Sequence, residues 1–391
     1  MKLGIISDAH HFWDARGRLC VLSPVARQFE QWASLFDEVT VCAPLLRGMP
    51  PPTHTPYEAD NIHLLPVPGA GGNTIAAKLE LAAQLVPWWR AIKKLLARVD
   101  AVHIRCPNNI SIVGLLALER SSCLRQAVYT GTWLGYPSEP RTYRWQRDYL
   151  RDRFRGPVAV YGAWPDQPPH VVPSFSPSYR DGEWAAEAGP VAAKIARLGG
   201  SDPLQRPLSL VSVGGLDANK NQQIAIRAVQ ALDALNVRAR LDILGDGPER
   251  GRLGQLVEEL GLQDRVILHG STSQAEVRRR YREADFVIQP TRSEGFGKVP
   301  IEAFFHGVIP IMSDINLHPQ FAGSGDDARG RCFPTEDAVA AAWHVADLAS
   351  RPAEMTRMIA NGRTYARSFT LEAWHIHVRD MLQAQWGVQL R

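Results

Sequence analysis

The segment DFVIQPTRSEGFGKVPIEAFF, residues 285–305, decides the fold of the C-terminal half of this chain. It begins with the apolar run Phe286-Val287-Ile288, which is typical of a buried parallel strand. The turn Glu294-Gly295-Phe296-Gly297 follows, and Pro300 stands where the first turn of a helix tolerates proline. The segment therefore predicts a strand, a glycine turn and a helix, and free amides at such a helix start attract anions such as phosphate.

The same alternation of apolar runs with helical periodicity extends over most of the chain, which predicts an α/β fold with two parallel sheets. The proline-rich stretch from 156 to 207 interrupts the alternation, so we place the domain boundary there. The predicted domains are residues 1–178 and 207–370. A last helix within 371–391 is expected to pack back on the first domain.

Composition restricts the classes of protein that remain. The 391 residues are 45% hydrophobic and 21% charged with a net charge of +4, which is typical of a globular soluble chain and does not indicate nucleic acid binding. The five cysteines form no CxxC pair, so we expect reduced thiols. The N-terminal apolar run is too short for a signal peptide, and no window approaches about 20 apolar residues, so a cytoplasmic protein is expected.

Three stretches of the second domain stand at the predicted carboxyl ends of strands, where ligands bind in such sheets. These are residues 213–221 with Lys220, the turn 244–249, and the pair Glu294 and Glu302 around the glycine turn. Each is weak alone, because Gly-Asp-Gly-Pro is more often a plain turn and a lone lysine is more often solvated. Together they favour a nucleoside diphosphate site, and no Asp-x-Asp metal motif accompanies them.

These motifs resemble the donor-binding domain of retaining GT-B glycosyltransferases of group 1 (family 4 type), a superfamily that includes glycogen synthase, sucrose synthase and many bacterial mannosyltransferases. The resemblance covers residues 208–368 well and the first domain loosely. It implies two Rossmann-like domains facing across a cleft, with the acceptor on the first and a UDP-sugar or GDP-sugar on the second. It implies neither a cofactor nor a metal.

The resemblance also assigns roles to residues. The catalytic residues it implies are Lys220, Glu294 and Thr132, with Lys220 on the diphosphate and Glu294 on the sugar hydroxyls. Glu302 would bind the ribose. The donor-binding residues it implies are Gly17, Gly214, Gly215, Gly270, Ser271, Gly295, Phe296, Gly297, Lys298 and Glu302.

The chain departs from the family pattern at two positions. The family usually has arginine where this chain has Gly215, and it often has a histidine where alignment by eye places Thr132. The candidate substitutes for the cation are Arg16, Arg18 and Lys298. The candidate substitutes for the histidine, besides Thr132 itself, are His10, His11 and His103, although a histidine inside a strand is more often structural.

Two basic and aromatic stretches, residues 87–94 and 141–155, are candidates for peripheral membrane contact at the inner face of the membrane. The alternative is a helix with a buried aromatic face and solvated arginines, which we favour slightly for both.

The function predicted from the sequence is transfer of a sugar from a nucleoside diphosphate to a hydroxyl of a glycan or lipid-linked glycan in polysaccharide biosynthesis. The first alternative is a nucleotide-sugar epimerase or hydrolase of the same fold. The second is a catalytically weakened homologue that only binds nucleotide sugar.

Overall fold

A computed structural model describes residues 1–70, 75–136, 139–200 and 202–391 of the chain. The contacts within it divide into two compact units, one made of Met1–Pro177 with Leu371–Arg391 and the other of Ser178–Thr370. Each unit contains its own parallel sheet with helices, so the predicted α/β class is confirmed in both.

The first unit is built on a seven-stranded parallel sheet in the order β10-β9-β8-β7-β1-β4-β6. Its elements up to residue 177 are β1 (Lys2–Ile6), β2 (His11–Trp13), β3 (Leu19–Leu22), α1 (Ser23–Leu35), β4 (Glu38–Pro44), β5 (His54–Pro56), β6 (Ile62–Val67), α2 (Ile75–Leu96), β7 (Ala101–Cys106), α3 (Asn109–Leu118), β8 (Leu124–Tyr129), α4 (Arg141–Asp152), β9 (Val158–Tyr161) and β10 (Val171–Ser174). The apolar strands lie in the middle, where helices cover both faces.

The sequence interpretation missed several strands of this unit. Residues 11–22 and 54–56, which the alternation of apolar runs and helices does not include, contribute β2, β3 and β5 of a small antiparallel sheet. Short strands of this kind give too few alternations to detect. β9 and β10 also escaped, because prolines surround them. Pro173 is tolerated in β10 because that strand is at the sheet edge.

The second unit contains a six-stranded parallel sheet in the order β13-β12-β11-β14-β15-β16. Its elements are α5 (Asp181–Ala186), α6 (Ala188–Gly200), β11 (Leu208–Val213), α7 (Gln223–Ala234), β12 (Ala239–Leu244), α8 (Arg250–Glu259), β13 (Val266–Gly270), α9 (Gln274–Glu283), β14 (Phe286–Gln289), α10 (Lys298–Phe305), β15 (Ile309–Ser313), α11 (His318–Ala322), β16 (Arg331–Phe333), α12 (Ala338–Ala349) and α13 (Pro352–Ala366). The quoted segment forms β14, the turn and α10, as predicted.

The second unit begins earlier than the predicted residue 207, because α5 and α6 belong to it. Val191 and Leu198 of α6 lie in its core. The buried Lys194 donates hydrogen bonds from Nζ to the carbonyls of Tyr281, Ala284 and His306 at 2.7–3.1 Å. Burial lowers the pKa of Lys194 to about 7.

The last helix, α14 (Leu371–Trp386), packs in the first unit. Trp374, Val378 and Leu382 are buried against the sheet and α1, and the Trp374 ring meets the Trp32 ring edge-on at 5.6 Å. The chain thus returns to the first unit, where α14 covers one face of the core.

No helix among the described residues has the length and apolar character needed to cross a membrane. All five cysteines are free thiols, three of them buried. Burial raises the pKa of Cys42 and of Cys106 to about 12, so both stay protonated at neutral pH.

The packing of α14 predicts a large stability difference between two tryptophans. Trp374 is 3% exposed, whereas Trp343 on α12 is 54% exposed. We expect Trp374→Ala to lower the free energy of unfolding of the first unit by about 3–5 kcal/mol because it leaves a cavity. Trp343→Ala should change stability by about 0.5 kcal/mol or less. Urea unfolding followed by circular dichroism measures both, and equal losses would contradict the packing of α14.

Candidate functional site

Four loops of the second unit leave the sheet at its carboxyl edge. They follow β11 (residues 214–222), β12 (245–249), β14 (290–297) and β15 (314–317). Because β11 pairs with both β12 and β14, and β14 with β15, the four loops are neighbours. The predicted motifs of the second domain therefore lie on adjoining loops, as the strand order of a parallel sheet requires.

The loops after β11 and β12 approach each other so closely that only glycine fits. Gly245 has φ +146°, and a Cβ added there would lie 1.8 Å from the Gly214 carbonyl oxygen. A Cβ on Gly247 would lie 2.4 Å from the carbonyl oxygen of Leu216. The amide of Leu216 donates to the Asp246 carbonyl at 3.0 Å. The Gly-Asp-Gly-Pro stretch is thus a structural turn that supports the first loop.

Lys220 and Glu294 come from different loops and form an ion pair between Nζ and Oε2. Each side chain is 23% exposed, so the pair is accessible from solvent. Asp217 holds Lys220 in place, since its Oδ1 accepts the backbone amides of Asn219 at 2.9 Å and Lys220 at 3.0 Å. The structure therefore brings together the two residues predicted to contact the diphosphate and the sugar.

Further hydrogen bonds join the loops after β11 and β14. Asn219 donates from Nδ2 to the Ser293 carbonyl at 2.8 Å, and its own carbonyl accepts the Arg292 amide at 2.8 Å. The Arg292 guanidinium pairs with Glu336, which also accepts a hydrogen bond from Asn221 at 3.1 Å. These contacts fix the distance between the loops after β11 and β14, and therefore the distance between Lys220 and Glu294.

Asn316 holds the glycine turn from the other side and was not identified from the sequence. Its Nδ2 donates to the carbonyl oxygens of Glu294 at 2.7 Å and Gly295 at 2.9 Å. Asn316 has φ +43°, a conformation that asparagine adopts more readily than most residues. Asparagine is common in turns, so Asn316 in the loop after β15 gave no indication of a functional role from the sequence.

The glycine turn ends at the start of α10. Gly297, with φ +77°, is the cap residue of this helix. The Phe296 side chain is buried against Phe321 and Phe369, so only its backbone can serve a donor. The prediction that the Gly295–Lys298 amides face a ligand is compatible with this geometry, which leaves Phe296 itself as a core residue.

Glu302 lies one turn inside α10 and is partly exposed. Burial raises the pKa of its carboxyl, while the charge of Lys298 and a hydrogen bond with Ser178 partly offset that effect. The ammonium of Lys298 therefore lies near the Glu302 carboxylate. Lys298 is one of the three candidate substitutes for the family arginine, and it has this carboxylate as a neighbour.

The remaining predicted donor residues have backbone roles in the unit. Gly215 is exposed, and its carbonyl accepts a hydrogen bond from Gln222 Nε2 at 2.9 Å. Gly270 ends β13 instead of following it, and its carbonyl accepts the Gly245 amide at 2.9 Å. Ser271 follows as an exposed residue. The Gly270 carbonyl thus has a backbone partner, and the donor-binding roles of Gly270 and Ser271 stay predictions.

The candidate residues of the first unit have varied surroundings. Thr132 lies in the loop after β8. Gly17, with φ +72°, belongs to the turn between β2 and β3, where a Cβ would meet nothing within 4 Å. Arg18 pairs with Asp14 within that hairpin, so this substitute cation has a local partner. Arg16 and His10 are exposed.

Two candidate substitutes for the family histidine prove to be buried structural residues. His11 contacts the Ala9 carbonyl at 2.8 Å and the Tyr57 hydroxyl at 2.9 Å, and burial lowers its pKa to about 4. His103 contacts Gln126 through Nδ1 and lies against Trp32 with the ring centroids 4.7 Å apart. Burial lowers the pKa of His103 to about 3. Both rings therefore stay neutral inside the core.

Among the described residues, no group of three or more histidine, cysteine or acidic side chains is arranged to hold a metal ion.

Residues 202–365 match the family described as "Glycosyl transferases group 1". This segment is a group 1 glycosyltransferase domain. A putative colanic acid biosynthesis glycosyltransferase of Salmonella typhimurium is 32% identical over 159 residues, 39% of this chain and 37% of that protein. A GDP-mannose:cellobiosyl-diphosphopolyprenol alpha-mannosyltransferase of Xanthomonas oryzae pv. oryzae is 33% identical over 131 residues, 33% of this chain and 34% of that protein. The matches thus span about a third of the length of these curated relatives.

The fold extends the similarity to the whole chain. The structure of Anabaena Alr3699/HepE in complex with UDP and glucose aligns with a TM-score of 0.67 at 14% identity, covering 98% of this chain and 100% of that one. The group 1 domain and the companion unit therefore have the GT-B fold of two Rossmann-like domains, as predicted.

The contacts of Asn316 predict that the glycine turn depends on its amide. Asn316→Ala removes two hydrogen bonds and places an alanine at positive φ. We therefore expect the free energy of unfolding of the second unit to fall by about 2–4 kcal/mol. Asn236→Ala is the matched control, since Asn236 has φ +56° but is exposed. It should lose only the backbone part, about 1 kcal/mol. Equal losses in chemical denaturation would show that the amide contributes nothing.

Proposed function

We propose that this protein is a retaining, metal-independent glycosyltransferase that moves a sugar from a nucleoside diphosphate to a hydroxyl of a glycan or lipid-linked glycan. The observation that carries the proposal is the meeting of Lys220 and Glu294 beside the glycine turn that starts α10. The second unit binds the donor, and the first unit binds the acceptor.

The site contains a group suited to each part of a nucleotide-sugar donor, namely its diphosphate, its sugar and its ribose. The Lys220 ammonium and the start of α10 attract the negative diphosphate. Carboxylates accept hydrogen bonds from paired hydroxyls, so Glu294 suits the sugar and Glu302 the ribose. Backbone amides near Gly295 and Gly297 can donate to sugar or phosphate oxygens. These features together favour a sugar linked to a diphosphate over a free nucleotide.

Donor binding would exchange the partners of the ion pair. Lys220 and Glu294 neutralise each other without a ligand, and each is partly exposed. A diphosphate would take the ammonium and a sugar hydroxyl would take the carboxylate, so the two charges never lack a partner. During transfer, charge grows on the leaving diphosphate, and Lys220 stabilises it. We propose that the acceptor hydroxyl oxygen bonds to the anomeric carbon on the face from which the diphosphate leaves. The bond between that carbon and the phosphate oxygen breaks, and the leaving phosphate takes the proton of the hydroxyl.

The names of similar proteins support the classes of substrate. The Anabaena structure contains UDP and glucose, and the Xanthomonas relative is named for GDP-mannose and a cellobiosyl-diphosphopolyprenol acceptor. The Salmonella relative is named for colanic acid biosynthesis. We therefore propose a UDP-sugar or GDP-sugar as donor and a polysaccharide precursor as acceptor.

The proposal predicts the effect of replacing either member of the ion pair. Lys220→Ala should lower kcat by about 100-fold to 1,000-fold, because one stabilising cation is lost from the transition state. Glu294→Gln should lower kcat/KM by at least about tenfold, because a neutral amide is a weaker acceptor for sugar hydroxyls. The measurement is transfer from UDP-glucose and GDP-mannose to a panel of glycan and lipid-linked acceptors.

The control variant is Glu258→Gln, which replaces an exposed carboxylate on α8 and should retain full activity. Unchanged turnover in both Lys220→Ala and Glu294→Gln would refute the proposal. Release of free or epimerised sugar without any acceptor would favour the hydrolase or epimerase. Donor binding in a thermal-shift titration, with no turnover on any acceptor, would favour a protein that only binds nucleotide sugar.

A membrane-associated acceptor agrees with the surface of α2. This helix exposes Leu79, Leu85, Val86 and Trp89, by 42–69% of each side chain. Arg90, Lys93 and Lys94 are exposed towards its C-terminal end. Apolar side chains beside basic ones are typical of helices that lie on anionic lipid surfaces. Trp88 of this helix is buried, whereas Trp89 is exposed. We propose that the exposed surface of α2 contacts the membrane.

The other basic helix is less suited to this role. On α4, Arg144 and Arg147 pair with Glu139, and Arg151 pairs with Asp148 and Asp152. Paired arginines of this kind have little charge left for a lipid surface. The interpretation of solvated or paired arginines over a buried face, favoured from the sequence, agrees with α4.

The proposal for α2 predicts selective vesicle binding. The wild-type protein should bind vesicles with anionic lipid more tightly than neutral ones, and the double variant Lys93→Ala, Lys94→Ala should lose about tenfold or more, since each basic residue contributes about 1 kcal/mol. Trp89→Ala should also weaken binding. Trp145→Ala on α4, where Trp145 is similarly exposed at 39%, is the control. Equal effects of Trp89→Ala and Trp145→Ala in vesicle flotation would contradict the assignment.

A further inference from the structure

His318 is a buried histidine beside the glycine turn, at the first residue of α11. Its Nδ1 lies 2.8 Å from the Ser313 carbonyl oxygen. Because a carbonyl only accepts, Nδ1 carries the ring hydrogen and donates it. The other ring nitrogen, Nε2, therefore has a free lone pair and acts as an acceptor.

Nε2 has no hydrogen-bond partner among the described residues although the side chain is only 1% exposed. A buried acceptor without a partner costs folding free energy, and such a group in a native protein calls for an explanation, which can be a catalytic role or an ordered water. This one stands at the edge of the candidate donor site.

His318 Nε2 lies close to the place that a side chain on Gly297 would occupy. A Cβ built on Gly297 would lie 3.3 Å from His318 Nε2 and 3.1 Å from Glu294 Cγ. The side chains of His318 and Glu294 therefore approach the same point of the glycine turn. A sugar hydroxyl that Glu294 holds at this turn would lie near the imidazole acceptor.

The charge state of the ring determines what it can recognise. Burial and, to a smaller extent, the positive charge of Lys220 lower the pKa of His318 to about 4, against the opposing effect of the hydrogen bond to Ser313. The ring is neutral at pH 7, so Nε2 cannot donate to a phosphate oxygen. A sugar hydroxyl can donate to Nε2.

We propose that His318 Nε2 accepts a hydrogen bond from a hydroxyl of the donor's sugar and so acts as a specificity-determining residue. This inference rests on the proposed function, because it takes the space beside Glu294 as the sugar site. It assigns His318 to the sugar and not to the diphosphate or the nucleoside.

The experiment compares binding of a nucleotide sugar with binding of the same nucleotide without sugar. The probes are UDP and UDP-glucose, and GDP and GDP-mannose, titrated by calorimetry into the full-length protein. For the pair that binds, we expect His318→Leu to reduce the affinity gained from the sugar by tenfold or more. The affinity for the nucleoside diphosphate alone should stay within twofold. His318→Gln, which retains an amide oxygen as acceptor, should recover part of the loss.

A control histidine exists in the same unit. His344 on α12 also has a buried ring nitrogen without a partner among the described residues, but it lies outside the four loops. His344→Leu should leave the gain from the sugar unchanged. Should His318→Leu not fold, the test uses His318→Gln with monodeoxyfluoro donors, which lack one hydroxyl each. The wild-type protein should lose at least tenfold with one of them, and His318→Gln should lose less with that same donor.

The outcomes separate this inference from the proposed function. If the wild-type protein binds neither nucleotide pair, the donor site itself is refuted, and the inference with it. If donors bind but His318→Leu weakens UDP and UDP-glucose equally, His318 only supports the loops. If the gain from the sugar is unchanged, Nε2 is satisfied by water. Either of the last two results overturns the inference while the proposed function stands.

Discussion

The geometry of the second unit depends on one contact between backbones, in which the loop after β12 rests directly on the loop after β11. No side chain fits between Gly245 and the Gly214 carbonyl, where even a Cβ would come within 1.8 Å. Hydrogen bonds between Leu216, Asp246 and Glu249 then tie the two loops together. Lys220 follows on the supported loop, and the hydrogen bonds of Asn219 to Ser293 and Arg292 then set its position relative to the loop after β14.

The ion pair at the centre of the site shows how two opposite charges are kept ready for a ligand. An ammonium and a carboxylate buried apart would each cost several kcal/mol of desolvation, but together and partly exposed they cost little. The neutral side chains of Asn219 and Asn316 hold the backbone of the glycine-turn loop without competing for either charge. A ligand that supplies a negative group and a hydroxyl can therefore replace each partner of the pair with one of similar chemistry.

Some of this was predictable from the sequence, and the reasons differ from residue to residue. The strands β1, β11 and β14 were clear because their apolar runs alternate regularly with helical segments. The juxtaposition of Lys220 and Glu294 followed from strand order, because neighbouring parallel strands end at the same edge. Asn316 and His318 were not predictable, since their importance lies in contacts with the backbone and in the position of His318 Nε2 beside Gly297 and Glu294. No pattern of residue types records such contacts.

The antiparallel sheet of the first unit and the helices α5 and α6 were missed for a different reason. β2, β3 and β5 have three or four residues each, and periodicity over so short a length does not separate a strand from a loop. In α6, Lys194 is buried because three carbonyl oxygens receive its Nζ, which overrides the expectation that lysine marks a solvent-exposed face. Tertiary hydrogen bonds thus decided where the second unit begins.

Two buried acceptors near the glycine turn have no hydrogen-bond partner among the described residues, which lowers the stability of this segment. Asn316 Oδ1 and His318 Nε2 are both buried without partners in the described part of the chain, and both belong to the segment after β15 that holds the turn. Every other polar contact of these two side chains is directed at the backbone. Each unpaired acceptor costs folding free energy, although the donor nitrogens of the same two side chains stabilise the turn and the segment after β15. Unpaired acceptors beside Glu294 and Gly297 are the pattern expected where a ligand's hydroxyl groups complete the hydrogen bonding that the folded chain leaves open.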